Sequence, residues 1–168
     1  MPEPVQYRGM TLLVPDNDSE WREYFAHARA HRLAMRACTA CGLMRYPPSA
    51  GCPWCGELGW RWQEVSGRGT IYSYEVVTHA IQPGFREVTP YVVVLVELDE
   101  QRGRPTPDEG LRIIGNLVRP DLTMEDEREA AIGRRVRVVF QDLADHIALP
   151  QFTLTDEPPA GRLWRFEG

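Results

Sequence analysis

The sequence contains no lysine: all 19 of its basic residues are arginine. Genomic base composition is the plain cause, but the consequence is chemical. A Schiff base, a phosphate-gripping P-loop lysine and a lysine general base are all excluded. Also missing is any apolar run near the roughly 18 residues that a membrane span requires. The opening Met1-Pro2-Glu3-Pro4 has neither the basic nor the apolar part of a signal peptide. A cytoplasmic protein with no membrane partner is the expectation. There is no positive excess either. The net charge is −5, which argues against nucleic acid as a partner, because neutralising phosphates takes a basic surface. No Gly-x-Ser-x-Gly elbow and no His-Glu-x-x-His pair occurs, so neither a serine hydrolase nor a catalytic zinc is signalled. With 168 residues, 43% hydrophobic and 26% charged, the chain is one globular domain or a small module on a modest one.

What is present is concentrated between Cys38 and Cys55. All four cysteines lie there as two C-x-x-C pairs, Cys38/Cys41 and Cys52/Cys55, with ten residues between the inner two. Each pair can set its sulfurs on one side of a tight turn, so that four thiolates meet around one ion. Gly42 and Gly56 follow the pairs, as suits knuckles that turn through positive φ and aim backbone N–H groups at sulfur. Two disulfides, or four buried thiols, are the alternatives, and disulfides need an oxidising compartment. Zinc is the first choice of metal, one ion per chain, and iron held as in rubredoxin the second. Four cysteine ligands leave no open position for substrate or water, so the site is structural. Its folding contribution would be on the order of 10 kcal/mol.

Along the chain, residues 1–15 are proline-rich and polar and are expected to form an extended arm. Asp16-Asn17-Asp18-Ser19 is a cluster of N-capping residues. Trp21, Tyr24, Phe25 and Ala28 then recur at helical spacing, predicting an amphipathic helix over Ser19–Arg32. From Leu33 the period becomes two. Strands lead into and out of the first knuckle and then alternate through Trp60, Trp62 and Glu64, which describes a zinc ribbon. The remainder is β: Thr70–Thr78, then a long loop His79–Pro90, then Tyr91–Leu98, the most apolar run and expected to be buried on both faces. Leu111–Val118 is the third strand. A short acidic helix is expected over Thr123–Ala131, followed by a fourth strand through Val136, Val138 and Phe140. A fifth begins at Leu149, and Leu163–Glu167 is a candidate final edge strand. Five strands with a helix between the third and fourth is the layout of an OB-fold barrel. The fold class is therefore mostly β: an N-terminal arm and helix (1–36), a four-cysteine ribbon (37–66) and a five-stranded OB-fold barrel (67–168).

These motifs, in this order, resemble a family of zinc-ribbon plus OB-fold proteins associated with acyl-CoA enzymes, first catalogued as a domain of unknown function. The matching residues are Trp21–Phe25, Arg36 before Cys38-x-x-Cys41-Gly42, Tyr46-Pro47-Pro48 and Cys52-Pro53-x-Cys55-Gly56. They continue through Gly67-x-Gly69-Thr70-Ile71-Tyr72-Ser73-Tyr74, Pro83-Gly84-Phe85, Pro90-Tyr91-Val92-Val93 and Val96-Glu97-Leu98-Asp99-Glu100. Gly115-Asn116-Leu117-Val118, Ile132-Gly133-x-x-Val136 and Leu149-Pro150-x-Phe152 complete the set. The resemblance implies an accessory subunit, non-catalytic or co-catalytic, that associates with a thiolase-like enzyme in a hetero-oligomer and helps hold an acyl-CoA. It implies that the ribbon and the helix stripe Trp21, Tyr24 and Phe25 dock on the enzyme. The loop around His79, Pro83, Gly84, Phe85, Arg86 and Tyr91 would then approach the substrate channel.

Residue chemistry alone leaves other classes open: a single-strand-binding OB protein and a rubredoxin-like electron carrier. His79, at a strand end beside the long loop, is the one candidate catalytic group. His27 and His31, spaced i, i+4, are a possible chelating pair, and His146 has no visible partner. Phosphates of a CoA would call on Arg86, Arg112, Arg119 or Arg134. Its pantetheine would call on Phe85, Tyr91 or Phe152, of which the last two are as readily core residues.

Overall fold

The computed structural model describes residues 4–14 and 19–166. Its centre is the apolar run, which forms strand β7 (Tyr91–Leu98). Val92, Val94, Val96 and Leu98 are buried, while Tyr91, Val93, Leu95 and Glu97 between them are half-exposed. The run is thus buried on one face only, not on both as its composition suggested. The sheet closes on itself, so one face of the run lines the interior while the other faces outward, without the second helical layer of a parallel α/β sheet.

Flanking β7 are β6 (Arg68–Val77) and β8 (Arg112–Asn116), followed in the chain by β9 (Arg135–Ala144) and β10 (Ile147–Leu154). The sheet order is β10-β9-β6-β7-β8, with antiparallel neighbours. A bulge at Tyr72 shifts the register between Ile71 and Ser73 and bends β6, which pairs with β7 along Gly69–Val77 and with β9 at Arg68–Thr70. The outer strands meet through a parallel bridge, Leu117 with Phe152. There the Val118 N–H donates to the Phe152 carbonyl at 2.8 Å and the Asn116 N–H to Gln151 Oε1 at 2.7 Å. This closure makes the OB-fold barrel. Phe152, Ile71, Leu117 and Ile113 fill it.

The cysteine segment forms a second, three-stranded sheet in the order β4-β3-β5, from β3 (Leu33–Cys38), β4 (Met44–Arg45) and β5 (Trp60–Val65). Its link to the barrel is a side chain. Gln101 accepts from the Met44 N–H at 2.6 Å and donates to the Met44 carbonyl at 2.9 Å, standing in for a missing strand along β4. Helix α1 (Ser19–Arg29) packs on β3, β9 and β10, where ribbon and barrel meet. Among the described residues no helix is long and apolar enough to cross a membrane.

Several expectations are corrected. The first residues are not an open arm: β1 (Pro4–Tyr7) and β2 (Met10–Leu13) form a hairpin. Arg8 and Gly9 both have positive φ, the turn that suits the twist of a two-residue hairpin. Val5 and Tyr7 point into the core, a period-two signal that the prolines obscured. Helix α1 stops at Arg29, short of Arg32, because the chain leaves helical geometry at His31, φ 54°. The capping cluster Asp16-Asn17-Asp18 lies outside the described residues. The acidic helix over Thr123–Ala131 does not form; only a 3₁₀ turn, Glu127–Glu129, is present. Asp121 accepts from both the N–H and the hydroxyl of Thr123, and Asp126 from the N–H of Arg128. Such local bonds compete with a helix too short to hold itself. In place of a last edge strand there is a single bridge, Trp164 with Ile132, and Glu167 is outside the described residues.

Candidate metal centre

Each knuckle is a tight turn closed by the same pair of bonds. The Gly42 N–H donates to the Cys38 carbonyl and the Gly56 N–H to the Cys52 carbonyl, both at 3.0 Å. In return the Cys38 N–H donates to the Leu43 carbonyl at 3.0 Å and the Cys52 N–H to the Glu57 carbonyl at 2.9 Å. Gly42 and Gly56 sit at φ 74° and 76°, a left-handed conformation that side chains resist.

The two turns face one another. All four sulfurs lie within 4.8 Å of each other. Cys38 Sγ is 3.6 Å from Cys55 Sγ, as is Cys41 Sγ from Cys52 Sγ, and none is in a disulfide. Metal–sulfur bonds of about 2.3 Å arranged tetrahedrally put sulfurs about 3.8 Å apart, so the cage fits an ion. Backbone N–H groups aim at it: those of Cys41 and Ala40 at Cys38, Leu43 at Cys41, Trp54 and Cys55 at Cys52, and Glu57 at Cys55.

Crowding makes the thiols titrate apart. Cys38 is pulled down to about 6, first by the N–H of Cys41. For Cys55 the N–H of Glu57 works downward, but burial and the sulfurs of Cys38, Cys52 and Cys41 outweigh it and push the thiol up to about 12. A cation removes that conflict by taking all four as thiolates. The donor set is soft and closed, without a vacant coordination position for chemistry.

Elsewhere the predicted groups fare unequally. In the His79–Pro90 loop the Phe85 ring packs against Tyr91 at 5.0 Å and Tyr7 at 5.8 Å, with the Arg8 guanidinium over it at 5.2 Å. Gly84 lies so close to the backbone and side chain of Arg8 that a Cβ has no room, so the N-terminal hairpin pins this loop. His79, Pro83 and Arg86 are exposed. Of the four candidate phosphate-binding arginines, Arg112 pairs with Glu97, Arg119 with Glu125 and Arg134 with Glu129. Only Arg86 has no ion pair among the described residues. Phe152 is core. His27 packs on Trp62, whereas His31 stacks on Phe140 and meets Asp142 at 2.9 Å, so the two rings serve different strands. Tyr24 and Phe25 are 3% and 7% exposed; their rings lie inside this chain. Trp21 keeps a half-exposed edge. Sequence reasoning noted Arg36 only as a motif residue and passed over Arg45, its buried partner, and the clamp at Gln101, whose roles depend on strand register.

Residues 62–141 match the family profile of the ChsH2 C-terminal OB-fold domain. A DUF35 domain-containing scaffold protein of Methanothermobacter thermautotrophicus is 32% identical over 117 residues, 68% of this chain and 76% of that one. Its counterpart in Methanocaldococcus jannaschii is 33% identical over 110 residues, 64% of this chain and 67% of that one. The chain belongs to the DUF35 family. Within that family, a solved chain of the Ltp2–ChsH2(DUF35) aldolase superimposes with a TM-score of 0.65 at 33% identity, covering 82% of this chain and 95% of that one. A DUF35 protein of Sulfolobus solfataricus, at TM-score 0.53 and 12% identity, shares the fold. A probable enoyl-CoA hydratase alpha subunit of Thermomonospora curvata is 41% identical over 95 residues, but the matched stretch is 56% of this chain and only 26% of that protein.

Proposed function

We propose that this chain is the scaffold subunit of a thiolase-like enzyme acting on acyl-CoA, carrying a structural zinc and contributing a loop beside the substrate. The observation that carries the reading is the likeness, at 33% identity over 95% of its length, to a chain of the Ltp2–ChsH2(DUF35) aldolase. Relatives named as scaffold proteins and as an enoyl-CoA hydratase subunit support an accessory role around CoA thioesters. The closed sulfur cage supports it from chemistry, since a metal so enclosed builds structure and does not bind substrate.

The ribbon and the outer side of α1, where Trp21 stays half-exposed, are the proposed docking side. The acyl-CoA is proposed to meet the 79–90 loop. Ile81 is 84% exposed there and Arg86 offers an unspent guanidinium, an apolar contact and a cation suited to pantetheine and phosphate. Behind them Phe85, Tyr91 and Tyr7 stiffen the loop, so that little ordering entropy is lost on binding.

Co-expression with thiolase-like enzymes tests the reading. A stable complex on size exclusion at micromolar concentration is expected, with one zinc per chain in colourless protein and CoA retained more tightly by the complex than by either protein alone. Separate elution from every such partner would refute the scaffold role, and red, iron-loaded protein would refute zinc.

A further inference from the structure

A metal in the sulfur cage, on which the following inference rests, brings charge with it. A divalent ion inside four thiolates leaves the centre a dianion. Arg36 and Arg45 are direct partners in the β3–β4 pairing, and each is only 2% exposed. Like charges buried opposite one another are unfavourable unless negative charge is supplied nearby. Among the described residues, Arg36 has one ion pair, with Glu20 at 3.0 Å, and Arg45 has none. Arg45 donates instead to the carbonyls of Ser49 and Ala50, at 2.8 and 3.0 Å, and Arg36 reaches the same Ser49 carbonyl at 3.5 Å. Arg36 Nε and Arg45 Nη1 are buried without a hydrogen-bond partner. Among the described residues one carboxylate, Glu20 on Arg36, stands against two guanidinium charges.

Their placement points to the missing anion. Arg36 precedes Cys38 by two residues on β3, so the two share a face of the strand, with Cα atoms about 7 Å apart. The Arg36 guanidinium lies 3.8 Å from the Trp60 ring centroid, and Trp60 is the strand partner of Cys38. Arg45 follows the first knuckle, and the Ser49–Ala50 carbonyls that receive both arginines run directly into Cys52 of the second. We propose that Arg36 and Arg45 are the counter-charges of the tetrathiolate centre, offsetting its negative charge and setting its affinity for divalent metal.

The full-length protein, loaded with zinc or refolded with iron, tests this. Adding an electron to the iron form turns a monoanion into a dianion, so a neighbouring cation favours the reduced state. Neutral variants Arg36→Met and Arg45→Gln should each bind zinc about tenfold more weakly in chelator competition. The iron midpoint potential should fall by a comparable tenfold, about 59 mV for one electron. Arg45→Lys, which keeps the charge, should stay near wild type. If neither neutral variant folds, Ser49→Asp, an exposed substitution that adds a negative charge to the segment whose carbonyls receive both guanidiniums, should lower the potential in the same direction. Weaker zinc with an unmoved potential would mean that the arginines only clamp the loop, and would overturn the proposal. A wild-type protein that takes up neither metal would instead sink the metal reading beneath it.

Discussion

The barrel buries Ile71, Val94, Ile113 and Phe152, whereas the ribbon buries Arg36, Arg45, Cys38 and Cys52. One region is stabilised by apolar area removed from water. The other shares that core through Leu33, Met35, Ala37 and Met44, and adds a two-residue edge strand, a sulfur cage and a set of polar clamps. The contrast teaches that a single chain can join an apolar barrel to a segment built around four sulfurs, and it predicts that the ribbon's order follows the charge state of those sulfurs while the barrel's does not.

Breaking the cage is the severest test of that contrast. Cys52→Ser should release the metal and leave insoluble protein, or a chain whose ribbon amides lose hydrogen-exchange protection while the barrel's keep theirs; a melting curve close to wild type would show that the metal is not structural. Next in size is Phe152→Ala, expected to destabilise the barrel by about 3–5 kcal/mol in urea unfolding through lost burial and the cavity left behind, with zinc affinity unchanged. Gln101→Leu attacks the seam between the regions. It leaves the Met44 N–H and carbonyl buried without their partners, which costs about 1–3 kcal/mol for each group, and should raise exchange at β4 before any other strand. The smallest effect concerns acid. Hydrogen bonding from Arg135, aided by its charge, holds the Asp99 carboxyl below the usual 3.8, against the opposing effect of burial. A depressed carboxyl contributes stability above its unfolded pKa and loses it as pH falls through the folded one. The urea midpoints of wild type and Asp99→Asn should therefore differ at neutral pH, begin to approach each other below about pH 4 and meet only below the depressed folded value, measured on the barrel's unfolding; equal midpoints at neutral pH would show the pair contributes nothing.

Legibility in the sequence divided along the same line. The knuckles were readable because Cys38, Cys41, Gly42 and their repeat at Cys52, Cys55 and Gly56 are local: spacing alone sets the turn. Strand β7 was readable as the most apolar run, though not which face it buries, and β9 from the alternation of Val136, Val138 and Phe140. The acidic segment 123–131 was misread because Asp121 turns back on Thr123 and Asp126 caps only the single 3₁₀ turn Glu127–Glu129. The hairpin at 4–13 was missed because its apolar contacts lie on distant strands. Gln101 was invisible because its partner, Met44, lies 57 residues away.

By itself, the sequence determined the cage, the order of ribbon and barrel, and the family, since all three are written in short-range spacing and in the succession of motifs. Only the tertiary structure decided which face of β7 is buried, that Tyr24 and Phe25 turn inward, that a hairpin pins the Phe85 loop, and that Arg36 lies across from Arg45. Those facts depend on strand register and closure, where a shift of one residue reverses every side chain, and no local pattern in the chain specifies which distant strand arrives beside it.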